Sequence, residues 1–321
     1  MKILVTGSSG FLGSWACRIL SRNHKVVGLS RENSNTYRLQ GIQNLMSIKK
    51  LTNEWPKTIM NEKPDTIIFL HWSGVENQYR NEATQNPNLF FFRQLCETAV
   101  AAKVSKIIGI GSQAELGPNL EPISDQQSDN PTTEYGAAKV ECRKLGFEIC
   151  NNSKSDFIWG RVISTYGPLD SKSWLIPSAI ISLSDSKKFK STLGEQEWSF
   201  LHALDFTLAL SKLVENYTEQ KIFNIGNPHT LKVNHLLRKI EALLGKSNLV
   251  ELGAIPYRFD QVMRLQPKCE GLLAMGWNPI VSIDEGLKQT INWFTSRPEI
   301  PLKTTSNGLE FFNLPDMPLQ H

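Results

Sequence analysis

The sequence predicts an α/β protein: a doubly wound parallel sheet followed by a smaller α/β lobe. Two observations carry this. Apolar runs of a few residues alternate with helical-period stretches through the first half, and that rhythm breaks after Tyr166-Gly-Pro168. Short buried strands separated by helices are joined by right-handed crossovers, which make a parallel sheet.

The elements follow in chain order. Ile3-Leu-Val5 reads as a strand, residues 11–22 as a helix and Val26-Val-Gly-Leu29 as the next strand. Thr66-Ile-Ile-Phe-Leu70 leads to a helix over 88–103 and to the strand Lys106-Ile-Ile-Gly-Ile110. Residues 135–150 read as a helix and Phe157-Ile-Trp159 as a strand. Residues 204–216 look helical and are expected to return to the first domain. Residues 233–244 form an amphipathic helix stopped by Gly245, and 283–296 the last regular helix. The division is therefore 1–165 for the first domain, with 203–220 returning to it, and 166–297 for the second lobe. Pro298, Pro301, Pro315 and Pro318 make 298–321 an irregular tail.

Composition narrows the function. The 321 residues carry a formal net charge of +4 and no long Lys/Arg run, so a nucleic-acid partner has no electrostatic footprint. No apolar stretch approaches the ~18 residues of a membrane helix. The N-terminus begins on a strand and lacks the pattern of a signal peptide, which points to a cytoplasmic protein. The five cysteines are scattered and never spaced as C-x-x-C, so reduced thiols are expected and no metal site.

The first strand runs straight into Gly7-x-x-Gly10-x-x-Gly13 and then a helix. Glycines there let the backbone turn tightly and approach a phosphate, and the helix N-terminus offers free N–H groups and a positive dipole end. This is the arrangement a dinucleotide pyrophosphate needs. Gly7, Gly10 and Gly13, with Phe11 and Leu12 in the first helical turn, are the expected cofactor cradle. The alternative is a tight strand–helix turn with no ligand.

Tyr135 and Lys139 are four residues apart and share one helix face. A free tyrosine has a pKa of about 10, and a neighbouring ammonium is expected to lower it. Together with the glycine spacing, Tyr135-x-x-x-Lys139 resembles the short-chain dehydrogenase/reductase superfamily. The segment from Pro64 through His71-Trp-Ser-Gly74, and Tyr166-Gly-Pro168, are similar to its extended branch of nucleotide-sugar epimerases, dehydratases and reductases. The resemblance runs over 1–297. It implies a Rossmann domain and a C-terminal lobe for a nucleotide-diphosphate sugar. It also implies cofactor contacts from His71, Ser73 and Gly74, and a homodimer formed through the helices 88–103 and 135–150. It makes Tyr135 the acid/base, Lys139 the modulator of its pKa and a ribose ligand, and Ser112, at a strand end, the hydrogen-bond donor to the substrate oxygen.

Local residues separate the family's reactions. The 4,6-dehydratases require an acidic residue just after the Ser/Thr, where this chain has Gln113 and Ala114; Glu115 stands one place too late. The GDP-fucose type of epimerase-reductase requires a cysteine in that segment, and none is present. Reduction of a keto-sugar and reversible 4-epimerisation both need only Ser112, Tyr135, Lys139 and a hydride source. The second strand ends in Ser30-Arg31 instead of the acidic residue that selects NAD, and an arginine can pair with a 2′-phosphate. That favours NADP(H) over NAD(H), with Glu32 dissenting, and hence a reductase. A 4-epimerase with retained NAD is the second reading. A non-catalytic NADP(H) sensor is the third.

The C-terminal segment Ala254-Ile-Pro-Tyr-Arg258-Phe-Asp260 resembles the family's diphosphate-gripping region, with Arg258 as the fork; a surface pair with Asp260 is the alternative. Gln113, Ser164 and Trp198 are the other expected substrate contacts. His202 is expected to be structural. Gly111-Ser-Gln-Ala-Glu115 and Ala274-Met-Gly-Trp277 are similar to CDP-abequose-synthase-like 4-ketoreductases of bacterial surface-polysaccharide synthesis. That subgroup implies a 4-keto-6-deoxyhexose substrate.

Overall fold

The structure is a computed structural model that describes residues 1–42, 44–75, 79–81, 85–258, 261–296, and the backbone of Thr304–Thr305 and Gly308–Leu309. The first half alternates as β1 (Lys2–Thr6), α1 (Phe11–Leu20), β2 (Lys25–Arg31), β3 (Leu45–Leu51), α2 (Trp55–Glu62), β4 (Thr66–Phe69), α3 (Asn86–Ala101), β5 (Lys106–Ser112), α4 (Glu134–Asn151) and β6 (Asp156–Val162). The second half contributes β7 (Thr165–Tyr166), α5 (Leu175–Ser184), β8 (Phe189–Lys190), β9 (Glu197–Ser199), β10 (Leu201–His202), α6 (Ala203–Glu215) and β11 (Ile222–Ile225). It continues with β12 (Thr230–Lys232), α7 (Val233–Leu243), β13 (Val250–Glu251), β14 (Arg264–Leu265), α8 (Glu270–Ala274) and α9 (Ile283–Ser296).

A seven-stranded sheet runs in the order β11-β6-β5-β4-β1-β2-β3. All its pairings are parallel. The chain reverses its direction of winding between β1 and β4, and ligands of doubly wound sheets bind outside the strand ends at that switch.

Period-two alternation sends successive side chains to opposite faces. Ile3 and Val5 join Phe206 and Leu210 of α6 in one buried cluster, while Leu4 joins Phe92 and Leu95 of α3 in another. Each such side chain, once buried, stabilises the fold by about 1.5–3 kcal/mol. A third cluster lies under α5, α7 and α9, and includes Tyr166, Ile180, Leu237 and Leu287.

Two elements of the first half, β3 and α2, were not expected from the sequence, nor in the second half were α5, α8, β11 and the short strands. The strand β3 lies at the sheet edge and alternates half-buried and exposed residues, with Met46 and Ile48 on the open side. An edge strand needs no continuous apolar run, so its signal is weak. Helix α2 is short and adds mainly Trp55 and Ile59 to the core. The prolines of the expected tail lie outside the described residues, among which Thr304–Thr305 pairs antiparallel with Gly308–Leu309.

Candidate active site

The glycine turn sits at the switch point. Gly7 has a φ of +65°, and a Cβ there would lie 2.9 Å from the backbone of Leu70 and His71. A Cβ on Gly13 would stand 2.2 Å from the Gly7 carbonyl oxygen. Thr6 ties the two loops together, its Oγ1 accepting the N–H groups of Leu70 at 3.1 Å and His71 at 3.2 Å. Gly10 caps α1 with extended backbone, no side chain occupies the cap, and no acidic residue stands in the first turn. The leading N–H groups of α1 are thus left for an anionic ligand. Phe11 and Leu12 are half-buried beside Trp15 and Leu204.

Around the turn, polar groups are held ready. Ser30 is 2% exposed, and its Oγ, like that of Ser8, is buried without a hydrogen-bond partner. A buried orphan hydroxyl is costly unless a ligand completes it, which fits a dinucleotide at this place. Arg31 is exposed at the end of β2, yet its charge reaches His71. Burial first, then Arg31 and Lys139, push His71 down to about 4, so its imidazole is neutral at pH 7. Ser73 is clamped by Asn88, which accepts its N–H and donates to its carbonyl, both at 2.9 Å. Gln85 donates to the carbonyl of Gly74 at 3.2 Å.

The expected catalytic trio meets at the ends of β5 and α4. Thr133 caps α4 by accepting the Gly136 N–H at 3.1 Å, which brings Tyr135 into the first turn. The Tyr135 phenol lies near enough to the Ser112 hydroxyl for that group to pull its pKa down. Lys139 donates from Nζ to the Ile110 carbonyl at 2.7 Å. Its Nζ lies 3.7 Å from the centroid of Trp72 and 5.9 Å from that of Tyr135.

One expectation is corrected here. Lys139 was expected to lower the Tyr135 pKa, but that pKa is raised, because burial outweighs the pull of the nearby Ser112 hydroxyl and the charge of Arg80. The ammonium sits on Trp72 and the Ile110 carbonyl instead of at the phenol oxygen. Arg80 lies 5.3 Å over the Tyr135 ring and is the cation the sequence reading missed. Burial also pushes Lys139 down to about 8.

Behind Ser112 the chain folds into a single 3₁₀ turn. Ser112 Oγ accepts the Ala114 N–H at 3.2 Å, and Glu115 Oε1 accepts the Ser112 N–H at 2.8 Å. Glu115 is fully buried and points inward, beside Arg143 and Arg161. It holds the turn through the Ser112 N–H. Gln113 Oε1 accepts the N–H of Ser164, whose φ is +41°, at 3.2 Å, so two expected substrate contacts are joined directly.

The second lobe is less convergent. Trp198 is half-buried on β9, donates its indole N–H to the Val262 carbonyl at 2.7 Å and packs between two apolar clusters. Arg258 is exposed, and Asp260 lies outside the described residues. His202 is fully buried between Trp15 and Tyr166, and its Nδ1 accepts the Leu204 N–H at the start of α6. All five cysteines are free and buried. No group of metal-ligating side chains occurs among the described residues, and among them no helix is long and apolar enough to cross a membrane. Trp72 and Gln85 were also missed as site residues. The signal for Trp72 was present, since it directly follows His71 at the end of the β4 segment.

Known proteins resemble this chain in sequence and in fold. Residues 3–226 match the profile of the NAD dependent epimerase/dehydratase family. A dTDP-D-glucose 4,6-dehydratase of Bos taurus is 24% identical, with 91% of this chain and 88% of that protein covered. The dTDP-glucose 4,6-dehydratase of Bacillus anthracis in complex with NAD superposes with a TM-score of 0.83 at 19% identity, covering 93% of this chain and 98% of that one. UDP-glucuronic acid 4-epimerase from Bacillus cereus, in complex with UDP-glucuronic acid and NAD, gives 0.81 at 21% identity, covering 93% and 100%. The family profile spans both the glycine turn and the Tyr135/Lys139 helix, and the chain belongs to the NAD dependent epimerase/dehydratase family of short-chain dehydrogenase/reductase enzymes.

Proposed function

We propose that the protein reduces the carbonyl of a nucleotide-linked 4-keto-6-deoxyhexose, with NADPH as the hydride source. The convergence of Ser112, Tyr135 and Lys139, with Glu115 turned inward, is the observation that carries the reading. Residues 1–165 with 203–220 hold the dinucleotide, and 166–297 hold the sugar nucleotide. The glycine turn and the head of α1 take the pyrophosphate, with Ser30 and Arg31 at the adenosine ribose and His71, Ser73 and Gly74 along the cleft. When bound, the nicotinamide ring supplies a hydride to the reacting carbon.

The chain's own groups manage the oxygen. Ser112 donates a hydrogen bond to the carbonyl oxygen and Tyr135 gives it a proton. Lys139 binds the nicotinamide ribose, and Arg80, over the Tyr135 ring, provides positive charge beside the phenolate left behind. Arg258 forks onto the diphosphate, and Gln113, Ser164 and Trp198 line the sugar end. Water elimination has no acid to serve it: Gln113 and Ala114 cannot move protons, and Glu115 is engaged by the Ser112 N–H and the Trp159 indole. The same reading makes the protein a homodimer through α3 and α4, where Phe90 is 70% exposed.

A second reading is a nucleotide-sugar 4-epimerase that keeps its NAD. It is favoured by the solved neighbours, which include a 4-epimerase holding NAD, and it uses the same side chains. One assay separates the readings. Protein, NADPH and a panel of nucleotide 4-keto-6-deoxyhexoses are mixed and the reduced-nicotinamide absorbance is followed. Stoichiometric NADPH loss supports the reductase, isomerised sugar without NADPH loss supports the epimerase, and binding without either identifies a sensor. Tyr135→Phe abolishes turnover and spares cofactor binding; full activity in that variant would sink the mechanism.

A further inference from the structure

Lys139 is nearly fully buried and needs partners for a charged head group. An ammonium carries three donors and no acceptor. One donor reaches the Ile110 carbonyl at 2.7 Å. The face of the Trp72 ring, 3.7 Å away at its centroid, receives the charge on another side. Aromatic faces attract cations, and more strongly where water is excluded.

The ring is itself held in place. Its indole N–H donates to Gln85 Oε1 at 2.8 Å. Gln85 is 3% exposed and donates in turn to the carbonyls of Gly74 at 3.2 Å and Tyr79 at 3.1 Å. Asn88 grips the backbone of Ser73 next door in both directions. The same indole meets Tyr135 edge to face at 5.7 Å and 90°. One immobilised ring therefore touches both members of the Tyr135/Lys139 pair.

We infer that Trp72 is a positioning residue: its ring, locked by Gln85, seats the Lys139 ammonium and keeps it charged and in register beside Tyr135. This rests on the proposed reading only in taking Lys139 as a member of the site. Other groups face Lys139 as well. Tyr135 and Cys142 lie on its own helix, Glu115 beneath the Ser112 turn, His71 on the segment after β4, and Arg80 against the Tyr135 ring. Burial disfavours the charge, Cys142 and Glu115 favour it, and the Trp72 face works with them. Removing the face must lower the pH at which Lys139 loses its proton.

The test is read on the free full-length protein labelled with ¹³C and ¹⁵N in lysine. The Lys139 signals are identified by their loss in Lys139→Met. In the wild type the Cε protons appear upfield, shifted by the ring current of Trp72. In Trp72→Leu that displacement disappears and the titration midpoint falls by about one pH unit, the size a desolvated cation–π contact supports. In Trp72→Phe, which keeps a face, most of the displacement and midpoint remain. The alkaline limb of kcat/KM follows the lysine midpoint through the series. Unshifted Cε protons in the wild type would overturn the inference, and so would an unchanged midpoint in Trp72→Leu. The titration needs neither nucleotide nor sugar. Failure of every keto-sugar to turn over therefore counts against the proposed reaction and leaves the Trp72 assignment to be decided by the lysine signals alone.

Discussion

Glu115 accepts the indole N–H of Trp159 at 3.0 Å, deep beneath the turn that carries Ser112. The same carboxylate takes the Ser112 N–H and lies against two buried arginines, Arg143 and Arg161. The turn that carries a candidate catalytic hydroxyl is thus held by a fully buried carboxyl group.

Glu115→Ala leaves those donors without an acceptor. Breaking one side of a buried charge network costs about 3–5 kcal/mol. Denaturant unfolding should show a loss of that order, with Glu115→Gln, which keeps an acceptor, falling between. Equal stability of the alanine variant and the wild type would remove Glu115 from this role.

Gly13 has no room for a side chain, because a Cβ would meet the Gly7 carbonyl oxygen at 2.2 Å. Gly13→Ala is expected to cost about 1–3 kcal/mol through overpacking and to weaken dinucleotide binding by displacing the turn. Calorimetric titration with NADPH and NADH checks the second effect. Wild-type affinity in this variant would argue against the turn as the pyrophosphate cradle.

Replacing Arg31 tests the choice between the nicotinamide cofactors. If it pairs with a 2′-phosphate, Arg31→Ala raises the KM for NADPH at least ~10-fold and that for NADH by less than ~3-fold. Parallel changes for both cofactors would instead support the NAD-retaining epimerase.

Asp170 gives the fold a pH dependence. Burial raises its carboxyl from 3.8 to about 7, against the pull of the Ser171 N–H and Arg38. A raised acid pKa means the native state holds a proton that the unfolded chain releases. The stability from this group is full below 3.8 and is lost as pH rises through about 7. Between about pH 5 and pH 8 the wild type should therefore lose about 2.5 kcal/mol relative to Asp170→Asn. Denaturant midpoints for both proteins across that range test it; parallel curves would show that Asp170 titrates normally.

Much of this was legible before any coordinates. The strands β1, β4, β5 and β6 are buried on both faces and read as apolar runs, α4 carries its Thr133 cap, and α7 and α9 carry their apolar period in the local sequence. The glycine turn was legible because its demands are local: a positive φ at Gly7 and a close approach at Gly13. The edge strand β3 was not, since half of each alternation faces solvent.

By itself, then, the sequence determined the parallel sheet, the phosphate-ready turn, and the placing of Tyr135 and Lys139 on one helix face. These depend on periodicity and backbone sterics, which act over a few residues. Only the tertiary structure decided where charges rest. It put Lys139 on Trp72 and the Ile110 carbonyl, brought Arg80 over the phenol ring, and buried Glu115 beneath the Ser112 turn. Those choices are set by desolvation and by contacts between segments distant in the chain, and no local pattern encodes either.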